Sequence, residues 1–322
     1  MHKVYIRADA GTSIGLGHVI RCIALAQMLK NDFDICFFSL ALPGKIATAL
    51  AAENFKLKYI TAESDFLNML QAKDIVVLDG YGFDTGYQKK IKDAGASLVC
   101  IDDLHDKEFY ADLIINHAPG VSKNDYKVQD YTEFALGSSY ALLRSPFLKA
   151  ALLNRQVEKI DSVLICFGGA DNKNLTNQAL AATMNAAELK KINVVLGAAY
   201  LQEETLMELV SSDKRIELYR SLSDEEMLLV MQRSGAAIVP ASGILFETLA
   251  AGCIAFSGYY VDNQQAIYNG FKALNAIVDL GNFENMDTAI AAKFSSSKTS
   301  TKKVIDGLSG TRLLDTFKSL AG

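Results

Sequence analysis

The stretch Val4-Tyr5-Ile6-Arg7-Ala8-Asp9-Ala10-Gly11-Thr12-Ser13-Ile14-Gly15-Leu16-Gly17-His18-Val19-Ile20-Arg21-Cys22-Ile23 decides the fold. Its opening run, Val4–Ala8, is β-rich and mostly apolar and predicts a strand. A glycine loop follows. Beyond it Val19, Cys22, Ile23, Ala26 and Leu29 recur at helical spacing and share one face. A strand that feeds a helix through a glycine turn is one unit of a parallel α/β sheet. The turn then lies at the carboxyl edge of the sheet, where such folds bind ligands.

The same alternation runs outward from this unit. Candidate strands are Val4–Ala8, Ile35–Ser39, Leu57–Ile60, Ile75–Asp79, Leu98–Ile101 and Leu113–Asn116. A second series is Val163–Phe167, Ile192–Leu196, Ile216–Tyr219, Ala237–Val239, Ile254–Ser257 and Ile277–Asp279. Continuous apolar strands separated by helical patterns imply parallel sheets covered on both faces. Between about Pro119 and Asp161 the alternation breaks into a polar stretch, read as the end of one domain and the linker to another. The predicted architecture is α/β, with two Rossmann-like doubly wound domains, 1–148 and 149–322, facing across a cleft. Ser295–Thr301 is poor in apolar residues, Leu308–Leu320 is again helical in pattern, and no internal repeat is present.

Composition narrows the function. At 322 residues and 35.0 kDa the chain suits two domains, and 50% apolar content excludes intrinsic disorder. A net charge of −5 without a basic run argues against nucleic acid or a membrane surface as partner. No apolar stretch reaches the ~18–20 residues of a membrane span, and Met1–Arg7 is charged too early for a signal peptide. Cys22, Cys36, Cys100, Cys166 and Cys253 are scattered without a CxxC pair, which predicts buried, reduced thiols and a cytoplasmic protein.

The glycine loop carries the chemistry. A P-loop needs Lys and Ser/Thr after its last glycine, where this chain has His18 and Val19. A dinucleotide fingerprint needs a small residue where Ile20 stands and an acid where Ser39-Leu40 closes the second strand. Both motifs fail. What remains is His18 in the first turn of a helix, behind Gly11, Gly15 and Gly17. The positive helix end disfavours a charged ring, and a neutral imidazole at a sheet edge can serve as a general base. A packed or capping histidine is the bland alternative, and His2, His105 and His117 are assigned to it.

Further turns close other strands in the same way. Gly168-Gly169-Ala170-Asp171 is either a ligand-approach loop or a tight turn capped by Asp171 or Asn174. Pro240-Ala241-Ser242-Gly243-Ile244-Leu245-Phe246-Glu247 opens a helix whose free N–H groups suit a diphosphate, and Glu247 can accept from ribose hydroxyls. The bland reading of Glu247 is a first-turn acid that stabilises the helix dipole. Asn263-Gln264 can bond sugar hydroxyls or acetamido groups, or cap a helix. Asp79-Gly80-Tyr81-Gly82 closes the strand Ile75–Asp79. Asp102-Asp103 lacks the middle residue of a metal-binding DxD, and no metal site or cofactor is expected.

Taken together, Gly15-Leu16-Gly17-His18, Asp79-Gly80-Tyr81-Gly82, Ser139-Tyr140-Ala141-Leu142-Leu143-Arg144, Gly168-Gly169-Ala170-Asp171, Ala241-Ser242 with Glu247, and Asn263-Gln264 resemble one family. It is that of the UDP-2,4-diacetamido-2,4,6-trideoxy-β-L-altropyranose hydrolases of pseudaminic acid biosynthesis, relatives of the glycosyltransferase that makes lipid II. The resemblance runs from about residue 3 to 275. It implies a GT-B fold and metal-independent cleavage of the anomeric C–O bond with inversion, releasing UDP and free sugar. It implies His18 and Asn263 as catalytic residues. Gly15, Gly17, Tyr81, Arg144, Gly169, Ser242, Gly243, Glu247 and Gln264 are then the substrate-binding set, with Glu247 on the ribose. Gly243 departs from the family, which has a second serine there. The expected partner is a UDP-sugar, and a monomer is favoured.

Three rivals differ in chemistry. An inverting UDP-sugar glycosyltransferase would use the same grip and base, and the lack of an apolar patch beside the glycine loop counts against a lipid-linked acceptor. A hydrolysing 2-epimerase would need a further acid beside His18, and none is evident. A nucleotide-sugar sensor would not need His18.

Overall fold

The computed structural model describes residues 2–11, 15–153, 155–169, 171–197, 199–284, 286, 290, 294 and 302–322. Loop residues Thr12–Ile14, Ala170 and the polar stretch Ser295–Thr301 lie outside them. The chain forms two compact units, Met1–Ser145 with Leu308–Gly322, and Pro146–Gly307.

The first unit holds seven strands: β1 (His2–Ala8), β2 (Phe33–Ser39), β3 (Lys56–Tyr59), β4 (Ile75–Asp79), β5 (Ser97–Ile101), β6 (Leu113–Asn116) and β7 (Glu133–Leu136). All pair in parallel, in the order β3-β2-β1-β4-β5-β6-β7. The chain therefore winds outward from β1 to β3 and returns to place β4 on the other side of β1. That reversal opens a crevice at the carboxyl ends of β1 and β4, with Ala8 level with Asp79. Helix Gly17–Leu29 covers one face. Val19, Cys22, Ile23, Ala26 and Leu29, the face read from the sequence, are all buried in the core with β1 and β2.

The second unit holds β8 (Ser162–Ile165), β9 (Lys191–Leu196), β10 (Ile216–Arg220), β11 (Ala236–Pro240), β12 (Ile254–Gly258) and β13 (Val278–Asp279), parallel, in the order β10-β9-β8-β11-β12-β13. Its reversal falls between β8 and β11. The loops that follow these strands are those of Gly168-Gly169 and Ser242.

Two expectations are corrected. The polar stretch after Pro119 contains an edge strand, β7, bonded to β6. It is four residues long and only Ala135 is fully buried, too little for a periodic signal. The terminal helix Ser309–Ala321 belongs to the first unit, not to a domain running from 149 to 322. Leu313 and Phe317 enter the first core, with the Phe317 ring 6.1 Å from that of Phe33, and the Ser309 hydroxyl donates to Ala141 O at 2.8 Å. An amphipathic pattern shows that a face will be buried, not which sheet covers it. All five cysteines are buried thiols, and no helix among the described residues is long and apolar enough to cross a membrane.

Candidate functional site

The glycine loop is pinned at both ends. Gly15 N–H donates to Gly11 O at 2.8 Å, and Gly15 takes φ +83°, a conformation that favours glycine. Ahead of it the Asp9 carboxylate accepts from the Ser39 hydroxyl (2.7 Å), Leu40 N–H (2.8 Å) and Arg7 Nη2 (2.8 Å). Burial works to raise its pKa, but the bonds from Arg7 and Ser39 outweigh that and hold it low. The helix that follows has no side-chain cap at Leu16, so its first N–H groups are not capped by that residue. Gly17 and His18 open this helix.

His18 points into a polar cluster rather than into the apolar core. Its Nδ1 lies 2.7 Å from Asp79 Oδ1 at the end of β4. Arg21, one turn further along the same helix, donates from Nε to Asp79 Oδ2 and from Nη2 to Oδ1, both at 2.6 Å, and from Nη1 to Asp103 Oδ1 at 2.7 Å. Burial opposes the Arg21 charge, and Asp103 and Asp79 more than restore it. Asp79, gripped by this fork, is an ionised acceptor. A 2.7 Å approach to it therefore places the His18 proton on Nδ1, and the 3.2 Å contact between Nδ1 and Arg21 Nη2 is proximity between two donors. Nε2 is left with its lone pair and meets no partner among the described residues. The ring as a whole is 7% exposed.

Tyr81 completes this cluster. Its ring stands edge-on to His18 at 4.7 Å, and its hydroxyl donates to Asp103 Oδ2 at 3.4 Å. His117, at the end of β6, accepts from Leu142 N–H on Nδ1. Burial, helped by the Arg21 charge, pushes its pKa down to about 4 against the pull of Asp103 and Asp79, so it is uncharged at neutral pH. Arg144, half-buried, lies between the 3-10 turn Ser138–Tyr140 and the helix Ser145–Leu152.

In the second unit Gly169, Ser242 and Gly243 lie at the carboxyl ends of the neighbouring strands β8 and β11. Ser242 heads the helix Gly243–Ala250 without capping it through its side chain. Glu247 is buried at the fifth position, beyond the first turn, which removes the dipole-acid reading. Asp171 is a cap, its two oxygens accepting from Leu175 N–H (2.9 Å) and Thr176 N–H (2.8 Å). Gln264 spends its side-chain oxygen on Tyr260 N–H at 3.0 Å, while Asn263 is exposed on the 3-10 turn Asp262–Gln264. Gly197 was not singled out from sequence. A Cβ there would stand 2.1 Å from Gly168 O, so only glycine lets the loops after β8 and β9 meet.

Three residues of the His18 cluster escape sequence reading in their roles: Asp79, Arg21 and Asp103. The expectation that no acid stands beside His18 is overturned, because Asp79 arrives from 61 residues away. Arg21 did leave a signal, a charge at i+3 from His18 on an otherwise apolar face. Among the described residues no three or more His, Cys, Asp or Glu are grouped as a metal ion would need; Asp103 faces Arg21 while Asp102 accepts from Leu104 and His105 N–H. Leu16 and Leu40, 42% and 44% exposed, flank the loop, so apolar surface is present there after all.

Comparison with known proteins follows the same lines. The chain is 29% identical over 272 residues to the UDP-2,4-diacetamido-2,4,6-trideoxy-β-L-altropyranose hydrolase of Campylobacter jejuni, 82% of this chain and 94% of that protein. The chain is similar to this hydrolase family and has a GT-B-like fold. It is also 28% identical over 294 residues to the spore coat polysaccharide biosynthesis protein SpsG of Bacillus subtilis, 87% of this chain and 84% of that one. An uncharacterised protein of Methanocaldococcus jannaschii is 27% identical over 283 residues; that match takes in 84% of this chain but spans only 58% of the archaeal protein. No family model matches. Among solved structures, MurG of Acinetobacter baumannii superposes with a TM-score of 0.64 at 14% identity, covering 98% of this chain and 99% of that one. UGT89C1 of Arabidopsis thaliana in complex with UDP-L-rhamnose also gives 0.64, at 12% identity, covering 99% and 98%. Both are likenesses of fold.

Proposed function

We propose that this hydrolase relative cleaves a UDP-linked diacetamido-trideoxy sugar at the anomeric C–O bond with inversion, releasing UDP and free sugar for a pseudaminic-acid-type pathway in the cytoplasm. The observation that carries it is the His18–Asp79 pair. A buried carboxylate fixes the ring proton on Nδ1 and leaves Nε2 basic. In the proposed step Nε2 takes a proton from water as the water oxygen bonds to the anomeric carbon, and the C–O bond to the diphosphate breaks. The first unit supplies the base, with Tyr81 and Arg144 toward the sugar. The second supplies the UDP grip, in which the N–H groups after Ser242 neutralise the departing diphosphate and Glu247 accepts from the ribose. Asn263 is assigned to the sugar. A monomer is favoured.

An inverting glycosyltransferase is the second reading. The exposed Leu16 and Leu40, which would suit an apolar acceptor, are the observation behind it. Incubation with a panel of UDP-sugars in H₂¹⁸O separates the two. Label in the free sugar supports hydrolysis at carbon, and label in UDP means attack at phosphorus. Turnover only with an added acceptor overturns the hydrolase reading. His18→Asn is expected to lose at least ~100-fold in kcat while still binding UDP.

A further inference from the structure

We propose that Asp103 is a positioning residue for the base: by neutralising Arg21 it keeps Asp79 available to a charged His18 ring. This rests on the base role given to His18 above. Arg21 occupies both oxygens of Asp79, including Oδ1, the one that His18 uses. Alone, that guanidinium would cancel the carboxylate in contact with the ring. Asp103 takes the third arm of the same guanidinium at 2.7 Å. With a neutral ring the cluster of His18, Asp79, Arg21 and Asp103 carries one net negative charge, and when Nε2 accepts a proton it becomes neutral. Without Asp103 the same step would create a net positive charge in a buried place, Arg21 being 12% exposed and Asp79 wholly covered.

The other groups that face the cluster do not supply this charge. Cys22, from the same helix, directs its thiol at Asp79 Oδ2, and burial pushes that thiol well above its usual range, so it stays protonated. Tyr81, from the loop after β4, donates a hydroxyl to Asp103. His117, from the end of β6, is neutral. Asp102, next to Asp103, is raised by burial and is engaged by backbone N–H groups of its own turn. Asp103 itself is held low: burial opposes its charge and Arg21 outweighs burial.

The test uses the full chain without substrate. Histidine-labelled protein is titrated by NMR, with the His18 ring signal assigned by its loss in His18→Asn. Asp103→Asn is expected to move the His18 midpoint to lower pH by about half a unit or more. Asp103→Glu should restore it, and Arg21→Gln should move it to higher pH. An unmoved or raised midpoint in Asp103→Asn overturns the proposal. Should that variant not fold, Arg21→Gln decides, and an unmoved or lowered midpoint overturns it. In kinetics, the acid limb of kcat/KM should follow the same shifts. Failure of the parent protein to turn over any UDP-sugar would remove the hydrolase reading and leave these titrations as they stand. An unmoved midpoint in an active enzyme would do the reverse.

Discussion

Replacing Asp79 by Asn keeps the volume of the side chain and removes the one feature on which His18 depends. The carboxylate accepts from His18 at 2.7 Å and from two arms of Arg21 at 2.6 Å each. An amide has one acceptor. If its oxygen turns to His18, its NH₂ group faces Arg21 Nε, donor against donor. If the oxygen turns to Arg21 Nε instead, the NH₂ group donates to Nδ1, the ring proton shifts to Nε2, and the base is lost. In the serine protease case that the tautomer argument is known from, the same exchange costs about 10⁴ in kcat; here the expected loss is at least ~10³. Removing one partner from a buried ion pair also costs about 3–5 kcal/mol, so part of the lost activity could come from unfolding. Turnover is therefore measured by UDP release on protein whose folded fraction is fixed from a urea curve. UDP affinity, which the proposed function assigns to the second unit, is followed by calorimetry and should not change. Turnover within tenfold of the parent, at full folding, would refute the assignment of Asp79 as the group that orients the ring.

Three further outcomes follow from particular side chains. Glu247→Ala should weaken UDP binding by about 1–3 kcal/mol, the range for lost hydrogen bonds to a charged group; equal affinity by calorimetry would leave Glu247 a structural acid. His117 has a pKa of about 4 in the folded chain against an ordinary value near 6.5 when unfolded. Below about pH 6.5 the unfolded chain therefore binds the extra proton, and stability falls as pH falls toward 4. The loss between pH 6.5 and 5 is about 1.5 kcal/mol, read as a shift in urea midpoint that His117→Gln should abolish. Phe317→Ala, in the terminal helix, should destabilise the first unit by about 3–5 kcal/mol. A melt in which only the second unit is weakened would contradict the docking of that helix.

Much of the fold is legible in sequence because the signals are local. The apolar runs at Ile75–Asp79 and Leu113–Asn116 match β4 and β6, residue for residue. The helical face from Val19 to Leu29 is buried as its spacing requires. Sequence weakens where burial is slight, as in β7, or where a helix could cover either sheet, as in Ser309–Ala321. At the site, His18 and Tyr81 stand out through their glycine turns and do lie together. Asp171 and Gln264 show the limit of such reasoning, since a polar residue at a turn bonds the backbone as readily as a ligand, and both do so here.

By itself the sequence determined the repeating strand-turn-helix unit, its glycine turns and the histidine set in the first of them, because each depends on residues within a few turns of one another. Only the tertiary structure decided what surrounds that histidine. Asp79 and Asp103 reach it because β4 returns to the side of β1, with β5 beyond it, and strand order is a property of how the whole sheet winds. The charges that surround the ring are thus assembled from segments that no local pattern connects.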